Sequence, residues 1–91
     1  MPYVLVEDVA ASWESYERFA ASLVAKTPEG LILHAAGRTD EGFRIVEVWE
    51  SEDAWRRFAD RVEISDAAFA SAPRYLRDLR PTHLVLGHEA T

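Results

Sequence analysis

Hydrophobic and polar positions change their period several times along the chain, and each change marks an element. Four short apolar runs rich in β-branched residues predict strands at residues 3–7, 31–36, 43–49 and 83–87. Between them the spacing lengthens to that of a helix. Ser12 is placed as an N-cap, and Trp13, Tyr16, Ala20, Leu23 and Val24 follow on one stripe until Pro28 and Gly30 stop it. A second helix begins at Ser51, with Glu52 and Asp53 in the first turn, where the helix dipole favours anions, and with Trp55, Phe58, Ala59 and Val62 as its stripe. The stretch "ISDAAFASAPRYLRDLRP" predicts one or two more short helical turns, broken at Pro73 and closed by Pro81. The order is β-α-β-β-α-β, an α+β, ferredoxin-like pattern in a single domain spanning residues 1–91.

The strands are apolar on both faces. Val4 and Val6 oppose Tyr3 and Leu5, and Val46 and Val48 oppose Ile45 and Trp49. Two helices cover only one side of a four-stranded sheet, so the other side calls for a lid, and a second copy of the chain is the simplest one. Removing apolar surface from water contributes roughly 25 cal/mol per Å², enough to favour an obligate-looking homodimer for a domain this small.

Gly37 and Gly42 bracket Arg38 to Glu41 between the second and third strands. A four-residue loop there pairs Ala36 with Phe43, His34 with Ile45, and Ile32 with Glu47, and it puts His34, Glu47 and Trp49 on one face. A loop longer or shorter by one residue moves His34 to the face of Val46 and Val48. On a shared apolar wall, burial disfavours a charged imidazole while a neighbouring carboxylate favours it, which poises His34 as a base. Trp49 and Phe43 are the expected stacking walls, Glu47 an orienter of the imidazole, and Ile45, Ile32 and Tyr16 further lining residues. Each has a plainer reading beside it: a structural histidine bonded to backbone, a solvent-facing carboxylate, and core packing for Trp49, Trp13 and Tyr16.

Composition narrows the classes. The hydrophobic fraction is 48% and the charged fraction 29%, the balance of a folded domain. A formal charge of −6 over scattered basic residues argues against nucleic acid as a partner. The absence of cysteine leaves no disulfide framework, thiolate metal site or thiol nucleophile, and it suits a cytoplasmic setting. The start "MPYVLVEDV" has no basic n-region, and no run approaches the roughly twenty apolar residues that span a bilayer, so neither export nor membrane insertion is expected. His83 and His88, five apart near the last strand, are a poor metal pair, and Arg74, Tyr75 and Arg77 either border a pocket mouth or decorate a surface helix. Phosphate-cradling glycine loops, GxSxG and HExxH are missing.

With this element order, the stretch "VEVWESEDAWRRF" at residues 46–58 resembles the antibiotic-biosynthesis-monooxygenase-like branch of the dimeric α+β barrel superfamily, in which a strand ending W-x-S-x-x-A-[FW] leads into the next helix. The resemblance implies sheets packed across a dimer, a pocket between sheet and helices, and chemistry that needs neither flavin nor metal. Its activities include oxygenation of electron-rich phenols or anthrones and, in sister branches, cyclisation, dehydration or decarboxylation of polyketide-like substrates. Trp49 also matches a tryptophan of the haem-degrading branch. That branch has a first-strand asparagine where this chain reads Val4-Leu5-Val6-Glu7, and a haem-ligating histidine where it reads "SDAAFASAPRYL", so haem is not expected and no cofactor is assigned. The leading expectation is a cofactor-independent oxygenase acting on an aromatic or polyketide-derived small molecule, with His34 as base or anchor. A cyclase or dehydratase, or a non-catalytic dimeric ligand-binding protein, is the alternative.

Overall fold

The computed structural model describes residues 1–87, and the expectation for His88 lies outside them. The chain runs β1 (Tyr3–Val9), α1 (Trp13–Ala25), β2 (Leu31–Arg38), β3 (Phe43–Trp49), α2 (Glu52–Arg61), α3 (Ala67–Ser71) and β4 (Arg74–Leu79). The strands form one four-stranded sheet in the order β2-β3-β1-β4, with every neighbouring pair antiparallel. This is the ferredoxin-like α+β architecture that the element order predicted.

Local chemistry explains the boundaries. Ser12, Ser51 and Asp66 each hold extended backbone and accept a hydrogen bond from a backbone N–H three residues on, at 3.2, 3.1 and 2.9 Å, so each helix starts on a side-chain cap. Gly30 ends the α1–β2 connection at φ 87°, a left-handed conformation that favours glycine, and a Cβ there would sit 2.6 Å from Cβ of Ala54. The missing side chain is what lets α2 approach this loop.

The last strand is a correction. Residues 83–87 have no regular secondary structure, and the edge strand is instead Arg74–Leu79, within the stretch expected to be helical. An edge strand needs hydrogen bonds to one neighbour more than it needs a continuous apolar run. β4 obtains them from β1, in the register Val4↔Leu79 through Val9↔Arg74, and its arginines reach acidic partners on β1: Arg74 to Glu7 at 3.0 Å and Arg77 to Asp8 at 2.6 Å. The helical expectation holds for Ala67–Ser71 and ends at Pro73, where the missing N–H favours an exit into extended chain.

The β2–β3 hairpin is also corrected, by an even step. Its turn is residues 39–42, closed by Thr39 N to Gly42 O at 2.9 Å, and the pairs are Arg38↔Phe43, Ala36↔Ile45 and His34↔Glu47. A shift of two residues preserves faces, so His34, Glu47 and Trp49 stay together. Beyond His34 the register shifts between Leu31 and Leu33, which removes Ile32 from the ladder, and its expected pairing with Glu47 does not form.

All helices lie on one face of the sheet. Under them are two buried clusters, Val9, Tyr16, Phe43, Ile45 and Phe69 at one end and Tyr3, Leu5, Trp49 and Ala54 at the other. Within α1, Phe19 packs against the first cluster, whereas Val24, expected on the inner stripe, is 82% exposed. The opposite sheet face carries Val4, Val6, Val46 and Val48 in the centre with Leu33, Tyr75 and Leu79 exposed around them.

Candidate active site

Alternation along β3 aims Phe43, Ile45, Glu47 and Trp49 at the helices, and all four are buried. A buried carboxylate is costly unless it is hydrogen-bonded, and Glu47 is bonded on both oxygens. Trp49 Nε1 donates to Oε1 at 3.0 Å, and His34 Nδ1 lies 2.7 Å from Oε2. His34 Nε2 in turn lies 2.6 Å from the hydroxyl of Tyr16 on α1, whose ring is nearly parallel to the imidazole, at 8°. With an ionised Glu47 one proton arrangement satisfies every atom: His34 neutral, its Nδ1–H donating to Glu47, and the Tyr16 hydroxyl donating to Nε2. The four residues form a continuous chain, Tyr16–His34–Glu47–Trp49, that joins α1, β2 and β3. Among the described residues no buried side-chain nitrogen or oxygen is left without a partner. Burial, reinforced by the charge of Glu47, pushes the Tyr16 hydroxyl above its usual value, so it remains a proton donor to the imidazole through the physiological range.

Beside this chain, between sheet and helices, is a cavity of about 370 Å³, within the size range of small-ligand sites. Its floor is Ile45, Glu47 and Glu7. Its walls are Phe19 of α1, the α2 stripe Trp55, Phe58 and Ala59, and beyond them Val62, Ile64, Phe69 and Leu76, with Arg74 beside Glu7. The cleft beside the β2–β3 turn is larger, about 540 Å³, but its lining carries more charge, with Asp8, Asp40, Glu41, Arg44 and Arg74. The smaller, mostly apolar cavity is the better place for chemistry, because a low dielectric strengthens each polar contact.

The residues expected at a site divide three ways. Glu47 and Ile45 line the cavity, and Glu47 presents the carboxylate that the sequence had placed behind the imidazole. His34 and Tyr16 stand in the second row, reaching the cavity only through Glu47. Trp49 and Phe43 have no exposed surface and belong to the core, so they are not the stacking walls expected of them. Ile32, at the bulge, is 42% exposed and is not among the cavity residues. The aromatic walls are Phe19, Trp55, Phe58 and Phe69 instead. The α2 stripe was visible as a helical period, but a stripe that packs and one that lines a hollow have the same spacing.

Glu7 was not singled out as a site residue. It is mostly buried, and Arg74 donates to its Oε1 at 3.0 Å. Burial raises its ionisation above the ordinary carboxylate value, Arg74 opposes that shift, and the charge of Glu47 adds to it. Arg74 also donates to the carbonyls of Phe69 and Ala70 at the end of α3, which fixes it at the cavity edge. Among the described residues no group of three or more His, Asp or Glu side chains is placed to hold a metal ion, and no helix is long and apolar enough to cross a membrane.

No protein-family model matches the chain, and no curated protein matches it in sequence. Solved structures match its fold. A variant of SnoaB, a cofactor-independent oxygenase from Streptomyces nogalater, is 19% identical, with a TM-score of 0.68 over 92% of this chain and 96% of that one. A second SnoaB structure is 17% identical with a TM-score of 0.58, covering 92% of this chain and 94% of that one. The haem-degrading protein Rv3592 from Mycobacterium tuberculosis, in a haem-free form, is 21% identical with a TM-score of 0.61, covering 96% of this chain and all of that one. The chain thus shares the ferredoxin-like α+β fold of these structures, in keeping with the fold that the resemblance over "VEVWESEDAWRRF" implied.

Proposed function

We propose that this chain, with the fold it shares with a cofactor-independent oxygenase, is itself an oxygenase-like enzyme acting on an aromatic or polyketide-derived small molecule. The observation that carries the reading is Glu47, a buried carboxylate on the floor of an apolar cavity, held on one side by Trp49 and on the other by His34 and Tyr16.

Glu47 takes a proton from an activated methylene or from a phenolic or enolic hydroxyl of the substrate. Each of its oxygens has a second lone-pair site, so it accepts this proton without giving up Trp49 or His34. His34 orients the carboxylate, and Tyr16 fixes the imidazole tautomer. The electron-rich anion then reacts with dioxygen: a carbon–oxygen bond forms, the hydroperoxide loses water, and CH2 plus O2 becomes C=O plus H2O. All the electrons come from the substrate. Trp55, Phe58 and Phe69 supply flat walls for a planar ring system.

The same reading includes a homodimer, closed through the open sheet face around Val4, Val6, Val46 and Val48. The primary test is oxygen uptake with 1,8-dihydroxyanthrone as the probe. The wild-type protein is expected to consume oxygen, and Glu47→Gln to lower the rate roughly a hundredfold, the range of a general base. An unchanged rate in that variant would remove Glu47 from the mechanism. Turnover of polyketide-like probes with no oxygen consumed would instead favour a cyclase or dehydratase, for which the same base suffices.

A further inference from the structure

Glu7 and Glu47 project from paired strands onto one cavity floor. In the β1–β3 register Glu7 faces Ile45 and Glu47 faces Leu5, so the two carboxyls are diagonal neighbours, roughly 7 Å apart at Cβ. Their surroundings differ. Glu47 accepts hydrogen bonds on both oxygens, from Trp49 and His34, and is thereby held as an acceptor. Glu7 has one oxygen on Arg74 and no protein hydrogen bond to the other among the described residues. The charged groups that face Glu7 are Arg74 from β4 and Glu47 from β3, while α1, α2 and α3 turn Phe19, Phe58 and Phe69 to the cavity. Two carboxyls in one apolar hollow, one with both oxygens occupied by protein donors and the other with an oxygen left for a substrate, can divide the work of base and acid.

We propose that Glu7 is the acid of a two-carboxyl enolising site, donating to a substrate carbonyl oxygen while Glu47 removes a proton from the carbon that carbonyl activates. The assignment deepens the proposed function and depends on its cavity and base. In the step, the C–H bond breaks toward Glu47, its electron pair enters the conjugated system, and the carbonyl oxygen takes the proton from Glu7. Glu47 ends protonated and Glu7 ionised, the substrate is the enol, and no electron leaves the pair of reactants. Reversal returns a solvent-derived proton to carbon. The diagonal spacing suits a ring ketone whose acidic methylene lies across the ring from its carbonyl better than one in which they are adjacent. Burial, which raises the ionisation of Glu7, keeps it protonated to higher pH than an ordinary carboxylate.

The test separates proton removal from oxygenation. In deuterated buffer without oxygen, exchange at the methylene of 1,8-dihydroxyanthrone is followed by mass spectrometry for the wild type, Glu7→Gln and Glu7→Ala, with circular dichroism and melting temperature confirming that each is folded. The expected result is catalysed exchange that declines as pH rises through the ionisation of Glu7. Glu7→Ala should be slower by roughly a hundredfold, the scale of losing one donor to a developing oxyanion. Glu7→Gln, which keeps a weaker donor, should be slower by roughly tenfold and should lose that pH dependence. Exchange by Glu7→Ala at the wild-type rate, or an unchanged pH profile in Glu7→Gln, would overturn the assignment while leaving the oxygenase reading in place. Exchange that obeys these expectations with no oxygen uptake in air would remove the oxygenase reading and leave the two-carboxyl site standing. No catalysed exchange by the wild type would overturn both.

Discussion

At the scale of single residues, the chemistry of this molecule is a matter of which buried polar atoms have partners. Glu47 tolerates burial because Trp49 and His34 occupy its oxygens, and His34 tolerates it because Tyr16 occupies its far nitrogen. Trp49→Phe removes the indole donor and some core volume at a position with no exposed surface, so it should destabilise the fold by about 1–3 kcal/mol, measurable by urea denaturation. Glu7 gives a test with a sign. Its folded-state ionisation is raised, so the native state holds its proton longer than the unfolded chain, and stability is lost as pH rises from the unfolded value through the folded one. Glu7→Gln lacks this loss. Its melting temperature relative to wild type should therefore increase between about pH 4, near the ordinary carboxylate range, and pH 7. A difference constant across that window would contradict the burial-driven shift.

Among the elements, α2 has the most demanding role, because one helix supplies three walls of the cavity. It is anchored by its cap at Ser51, by Ala54 packed against Gly30, and by Glu52, which accepts from Arg80 and Arg56. Ser51→Ala should cost about 1 kcal/mol, and it should weaken binding of a cavity ligand such as 1,8-dihydroxyanthrone in a fluorescence titration, since the walls move with the helix. The strands show why register matters more than length. His34 came to face Glu47 rather than Ile45 by a two-residue step, which kept the constellation on one side, whereas the bulge near Ile32 took that residue out of it.

For the whole molecule, the unresolved balance is the open face of the sheet. Val4, Val6, Val46 and Val48 are only partly covered, and Leu33, Tyr75 and Leu79 are 46%, 61% and 59% exposed, a contiguous apolar surface of the kind that marks an interaction site. An ion-paired cluster, Asp8 between Arg44 and Arg77, borders it. Val46→Glu at its centre should convert the proposed dimer into a monomer on multi-angle light scattering at micromolar concentration, because a carboxylate buried between two sheets has no partner there. A wild-type monomer under the same conditions would dispose of the homodimer.

The amino-acid pattern by itself determined what depends on neighbours close in sequence: three of the four strands, the caps and starts of α1 and α2, and the alternation that aims Glu47 and Trp49 the same way. It also carried the resemblance over residues 46–58 that the solved structures bear out as fold. It left the last strand misplaced, because β4 is defined by hydrogen bonds to β1, some seventy residues away, and not by its own alternation. Only the tertiary structure decided which side chains border space. Strand period assigns a face, but the gap between a packed indole and a lining one is set by how helices seat on that face, which is why Trp49 went to the core and Glu7, an unremarked carboxyl on the first strand, to the cavity.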